Sequence, residues 1–153
     1  MGDLCPSVGV VRFMCLSQSV SFTAGAFLVG GGGFALTKAW QINKRYLPVA
    51  LMPLFAGLQQ FMEGGVWWGV NTGDPGTTLW GAMGFIFFTW FMWPFWIPVA
   101  SYVLEPSGSS RKPWMLAMSL AGLAFGLALY VPHLLNPDWI EGSVNRDSLA
   151  YEG

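Results

Sequence analysis

Charge is what this chain most lacks: only 10% of its 153 residues are Asp, Glu, Lys or Arg, against roughly 25% in an average soluble protein. Seven basic and eight acidic side chains are too few to cover the surface of a soluble fold of this size. The basic residues are scattered and the net charge is -1, so no stripe exists that could neutralise a run of phosphates, and a nucleic-acid partner is excluded. Cysteine is equally sparse. Cys5 and Cys15 are the two present, which rules out a CxxC metal pattern and a disulfide-rich scaffold and leaves either one disulfide or two unlinked thiols. Histidine occurs once, at His133. There is no GxSxG, no HExxH, no phosphate loop and no pair of acids on one helix face, so the expectation is a protein that is not an enzyme.

What the chain has instead is apolar: 54% of it is hydrophobic and 16% aromatic. A bilayer core of about 30 Å needs about 20 mostly apolar helical residues. Four stretches reach that length, at residues 20–40, 46–70, 79–104 and 114–135. The expected fold class is therefore all-α, a polytopic transmembrane helical bundle of about four spans, multi-pass and surrounded by lipid. An N-terminal extension (residues 1–18) precedes a four-helix domain (19–135) and a polar tail (136–153). The first span is too long for a signal-peptide core and runs into Lys38 without a clear cleavage site, so it reads as retained. Lys38, Lys44 and Arg45 fall in the first connection and Arg111 and Lys112 in the third, while the second has no basic residue. That bias places the first and third connections in the cytoplasm and both termini outside.

The spans differ in character. The first holds Gly25 and the run Gly30 to Gly33, and the fourth holds Gly122 and Gly126, small residues that let membrane helices approach closely. The third carries Trp90, Trp93 and Trp96 with Pro94 and Pro98. It is expected to kink or partly unwind in its cytoplasmic half, since each proline removes a helix hydrogen bond. Its indoles either face lipid or wall a flat cofactor such as a quinone or haem.

The second span interrupts its apolar run with LQQFMEGGVWW, Leu58 to Trp68. Helical spacing puts Gln59, Gln60, Glu63 and Trp67 on one face. A carboxylate at that depth costs about 2.5 kcal/mol or more if it faces lipid, so this face must turn to the bundle interior, a partner or a wet cavity. It is either a hydrogen-bond cluster that fixes packing or a site for a proton, ion, metal or polar ligand, with Trp93 as a further lining residue. The outside ends of the spans also bring Cys15, Glu63 and His133 to neighbouring depths, and thiolate, carboxylate and imidazole together are competent ligands for a metal ion or haem iron.

Met14-Cys15-Leu16-Ser17 with Ser21-Phe22, Gln59-Gln60-Phe61 with Glu63-Gly64, and Trp93-Pro94 with Trp96 and Pro98 together resemble an uncharacterised family of small bacterial multi-pass membrane proteins, a domain of unknown function. The resemblance implies a bacterial inner-membrane location and a start at Met14-Cys15, and it brings no established activity. The reading is thus a binding or accessory subunit whose Gln59, Gln60 and Glu63 meet a small ligand, a cofactor, another membrane subunit or a second copy. The alternatives are a small transporter or proton-linked channel using Glu63, and a metal- or haem-binding protein using Cys15, Glu63 and His133.

Overall fold

A computed structural model describes residues 17–140, 143–145 and 148–150. Its long elements are all helices. Helix α1 (Gln18–Ile42) ends at Asn43, whose side-chain oxygen accepts the Arg45 backbone N–H at 3.0 Å and opens the 3-10 turn Lys44–Tyr46. Helices α2 (Leu47–Ala50) and α3 (Met52–Thr72) are separated only by Leu51, itself helical at φ -74° and ψ -23°. Pro48 and Pro53 therefore produce a hitch and not a break. Each sits in the first turn of its helix, where the missing N–H has no intrahelical partner to lose.

Helix α3 stops at Gly73, which has φ 68°, the left-handed conformation that glycine adopts without steric cost. The next residue, Asp74, caps α4 (Pro75–Ile86) by accepting the N–H groups of Gly76 and Thr77, and the Thr77 hydroxyl at 2.6 Å. These hydrogen bonds, the Thr77 hydroxyl foremost, hold the Asp74 carboxyl below its ordinary range. The two residues between α3 and α4 force the helices into an antiparallel hairpin.

Helix α4 runs through a π-helical turn, Phe87–Met92, into α5 (Trp93–Leu104). The prolines are expected to kink or partly unwind this helix; it stays helical through both and takes up a π turn before Pro94. Pro94 offers no N–H and its ring crowds the carbonyl four residues back. The chain accommodates it just upstream, with the Trp93 N–H reaching Phe88 O five residues away. A π turn of this kind absorbs the clash while the rod stays helical. Helix α6 (Lys112–Leu135) returns antiparallel, followed by the 3-10 turn Pro137–Ile140. The strands β1 (Ser143–Asn145) and β2 (Ser148–Ala150) pair antiparallel in the tail.

The helices form a row: α1 against α3, α3 against α4, and the π turn with α5 against α6. Glycine makes each seam close. A Cβ on Gly32 would lie 2.7 Å from Leu54 N, one on Gly81 2.7 Å from Val66 N, and one on Gly122 2.1 Å from Pro94 O. Gly30, Gly31 and Gly33, by contrast, have nothing within 4 Å. Of the glycines in the first span, only Gly25 and Gly32 serve packing.

Three helices, Gln18–Ile42, the continuous Pro75–Leu104 and Lys112–Leu135, are long and apolar enough to cross a membrane. Their outward faces are apolar, with Phe27 78% exposed, Trp80 75% and Trp114 71%. The well-buried core is small, built on Val66, Ala82, Met83, Ile86 and Ile140. A fold that shows this much apolar surface and hides so little is arranged for an apolar surrounding.

Candidate functional site

Successive residues of a helix turn by about 100°, and the contacts of α3 divide its circumference into three sectors. Gly57, Phe61, Gly64 and Trp68 face α1, since Gly57 meets Val29 and the Gly25 carbonyl, Gly64 meets the Phe22 ring, and Trp68 packs edge-on to Phe22. Met62, Val66 and Gly69 face α4 through Gly84, Gly81 and Thr78. The remaining sector carries Gln59, Gln60, Glu63 and Trp67, the residues that the spacing groups on one face.

Glu63 is 5% exposed, and no other charged residue is buried among the described residues. Its Oε2 accepts the Gln60 amide N–H at 3.1 Å. On the same helix, Leu58 is 38% exposed and Trp68 53%. The carboxyl is inside and the indole outside, the reverse of a helix that borders water.

Gln59 lies at the edge of this sector and joins it to the aromatic helix. Its Oε1 accepts the Trp93 indole N–H, and its Nε2 donates to the Thr89 hydroxyl at 3.2 Å; Thr89 in turn donates to Phe85 O at 3.1 Å. The π turn contains Thr89 and ends beside Trp93, so the widened backbone presents both groups to Gln59. The other indoles go elsewhere. Trp96 donates to Pro48 O at 2.8 Å and packs on Phe55, while the Trp90 ring lies 4.9 Å from that of His133. The three indoles thus line no common wall, and only Trp93 joins the polar sector.

Two residues of the site are not assigned to it by the sequence. Thr89 is one, and its signal is its position four residues before Trp93. Ser21 is the other. It is 0% exposed and precedes Gly25 by one helical turn on the packing face of α1. The seam fixes its height: Gly32 meets Leu54, Gly25 meets Phe61, Phe22 meets Gly64, and Gln18 accepts from Asn71 at 3.0 Å. Ser21 is therefore level with Gly64 and its neighbours. Phe22 occupies the flank of the seam shared with Phe61 and Trp68. Ser21, about 100° away around the helix, falls on the opposite flank, the one that carries Gln60, Glu63 and Trp67.

The segments Ser21-Phe22, Gln59 to Gly64 and Trp93 are far apart in sequence and meet here. The chain matches a family described as "Family of unknown function (DUF6629)" over residues 14–134. It belongs to that family. The chain matches no functionally curated protein and no solved structure. The DUF6629 match begins at Met14 and so takes in Cys15, Ser21, the whole polar sector, Trp93 and His133.

Of the three metal-ligand candidates, Cys15 lies outside the described residues. His133 Nδ1 is 2.8 Å from Leu129 O, and its ring lies between those of Trp90 and Trp139, at 4.9 and 5.9 Å. Glu63 is bonded to Gln60. Among the described residues no group of three His, Cys, Asp or Glu side chains is placed to hold a metal ion.

Proposed function

We propose that this DUF6629 protein is a multi-pass membrane protein of the bacterial inner membrane, with both termini outside, acting as a binding or accessory subunit. Its intramembrane site is the sector Gln59, Gln60, Glu63 and Trp67, closed by Trp93. The observation that carries this reading is the inverted polarity of α3, with its carboxyl buried and Trp68 outward. Helix α3 has 21 residues, about 30 Å at 1.5 Å per residue, and it packs between two helices that are apolar enough to cross a membrane. It is the fourth span, less apolar than the others because it carries the site.

Packing alone does not call for this sector. Replacing buried polar groups with well-fitting apolar ones is often neutral or stabilising, so a cluster with unsatisfied members is a poor way to fix a helix. Native mass spectrometry of the purified protein tests the reading. A bound small molecule is expected on the unaltered chain and lost in the Gln60→Leu and Glu63→Gln variants. Equal spectra, with a raised unfolding midpoint for Gln60→Leu, would reduce the sector to packing. A second reading, a small transporter or proton-linked channel, is favoured by the burial of Glu63, the one buried carboxyl among the described residues.

A further inference from the structure

Three buried polar atoms around Glu63 have no hydrogen-bond partner: Ser21 Oγ, Gln60 Oε1 and Trp67 Nε1. Buried polar groups are nearly always paired, and one left unpaired costs about 1–3 kcal/mol. Gln60 and Trp67 lie on one face of α3, about one turn before and one turn after the buried Glu63, and Ser21 falls on the same flank of the α1–α3 seam.

Their chemistry specifies the guest. Trp67 Nε1 can only donate, so it requires an acceptor. Gln60 Oε1 can only accept, so it requires a donor, and the Ser21 hydroxyl serves as either. A bare cation gives Trp67 nothing to donate to and meets its N–H with the wrong sign. An anion faces the Gln60 oxygen and the Glu63 carboxyl. A group that both donates and accepts satisfies all three atoms, and a hydroxyl is the smallest such group. Resting on the reading above that this sector is a binding site, we propose that it takes a neutral hydroxyl, accepting from Trp67 and donating to Gln60. The hydroxyl belongs either to a water molecule or to a lipid-soluble quinol or alcohol that enters from the bilayer.

The test is ¹⁹F NMR of the full chain, labelled with 5-fluorotryptophan in nanodiscs, with Trp67→Phe assigning the signal. Three probes are added separately: decylubiquinol, decylubiquinone, which accepts but does not donate, and Zn²⁺. A Trp67 shift with decylubiquinol, about tenfold weaker with decylubiquinone and about tenfold weaker in Gln60→Leu, is the result expected for a quinol, one hydrogen bond being worth about that factor. A Trp67 signal that ignores all three but shows a fast solvent isotope shift in D₂O assigns the hydroxyl to water. A Zn²⁺-dependent shift that disappears in Glu63→Gln overturns the hydroxyl and leaves the site standing. A silent, slowly exchanging Trp67 N–H overturns both the hydroxyl and the site.

Discussion

Gly122 and Gly30 make a matched pair on which the packing account can be tested. An alanine Cβ at Gly122 would sit 2.1 Å from Pro94 O and 2.6 Å from Pro94 C. Both are backbone atoms that no rotamer change can move. Ordinary contact needs a little over 3 Å, so α6 must retreat from α5 by about 1 Å along much of their seam. Such overpacking costs about 1–3 kcal/mol, offset by about 0.5–1 kcal/mol from the better helix propensity of alanine. A net loss of about 1–2 kcal/mol is expected. At Gly30 an added Cβ meets nothing within 4 Å, so Gly30→Ala gains the propensity alone, about 0.5–1 kcal/mol. Unfolding both variants in mixed micelles by SDS titration reads the difference. The reasoning fails if Gly122→Ala is as stable as the unaltered chain, or if Gly30→Ala loses as much.

Gln59→Leu leaves the Trp93 N–H and the Thr89 hydroxyl without their partner, and should cost about 1–3 kcal/mol; adding Trp93→Phe should recover part of it, and strictly additive losses would show that the Gln59–Trp93 bond is not formed. Asp74→Ala removes the cap of α4 and should lower the unfolding midpoint at pH 7. The Asp74 carboxyl is lowered from 3.8 in the folded chain, so its stabilisation is present above that value and is lost as pH falls through the folded one. The two midpoints should therefore converge as the pH falls, and a gap that does not narrow in acid would count against the cap. Glu63→Gln keeps a partner for Gln60 and should fold normally while abolishing any pH-driven proton uptake into vesicles; unaltered uptake would remove Glu63 from a proton-linked role.

The grouping of Gln59, Gln60, Glu63 and Trp67 was readable before any coordinates, because a 3.6-residue repeat fixes which side chains share a face. So was its inward direction, which follows from the cost of a carboxyl in lipid. The break between the second and third spans was legible as a loop between residues 70 and 79, and the structure narrows it to Gly73 and Asp74. Ser21 and Thr89 were not. Each is an ordinary polar residue in an apolar helix until a neighbouring helix sets its height, and that height depends on glycines meeting across a seam. The π turn escaped as well. Pro94 announces a disturbance, but whether a helix kinks, unwinds or widens depends on what packs beside it, here Gly122 against Pro94 O and Gly126 against Phe91.

Spin-label accessibility along α3 tests most directly the claim that its polar face is turned inward within the membrane. Single cysteines at Leu58, Gln60, Glu63 and Trp68, in a background without Cys5 and Cys15, would be labelled and reconstituted in vesicles. Labels at 58 and 68 should be relaxed strongly by oxygen and weakly by a water-soluble nickel chelate, as lipid-facing sites are. Labels at 60 and 63 should be shielded from oxygen relative to both. Equal oxygen exposure at all four positions, or nickel exposure at 58 and 68, would contradict the account.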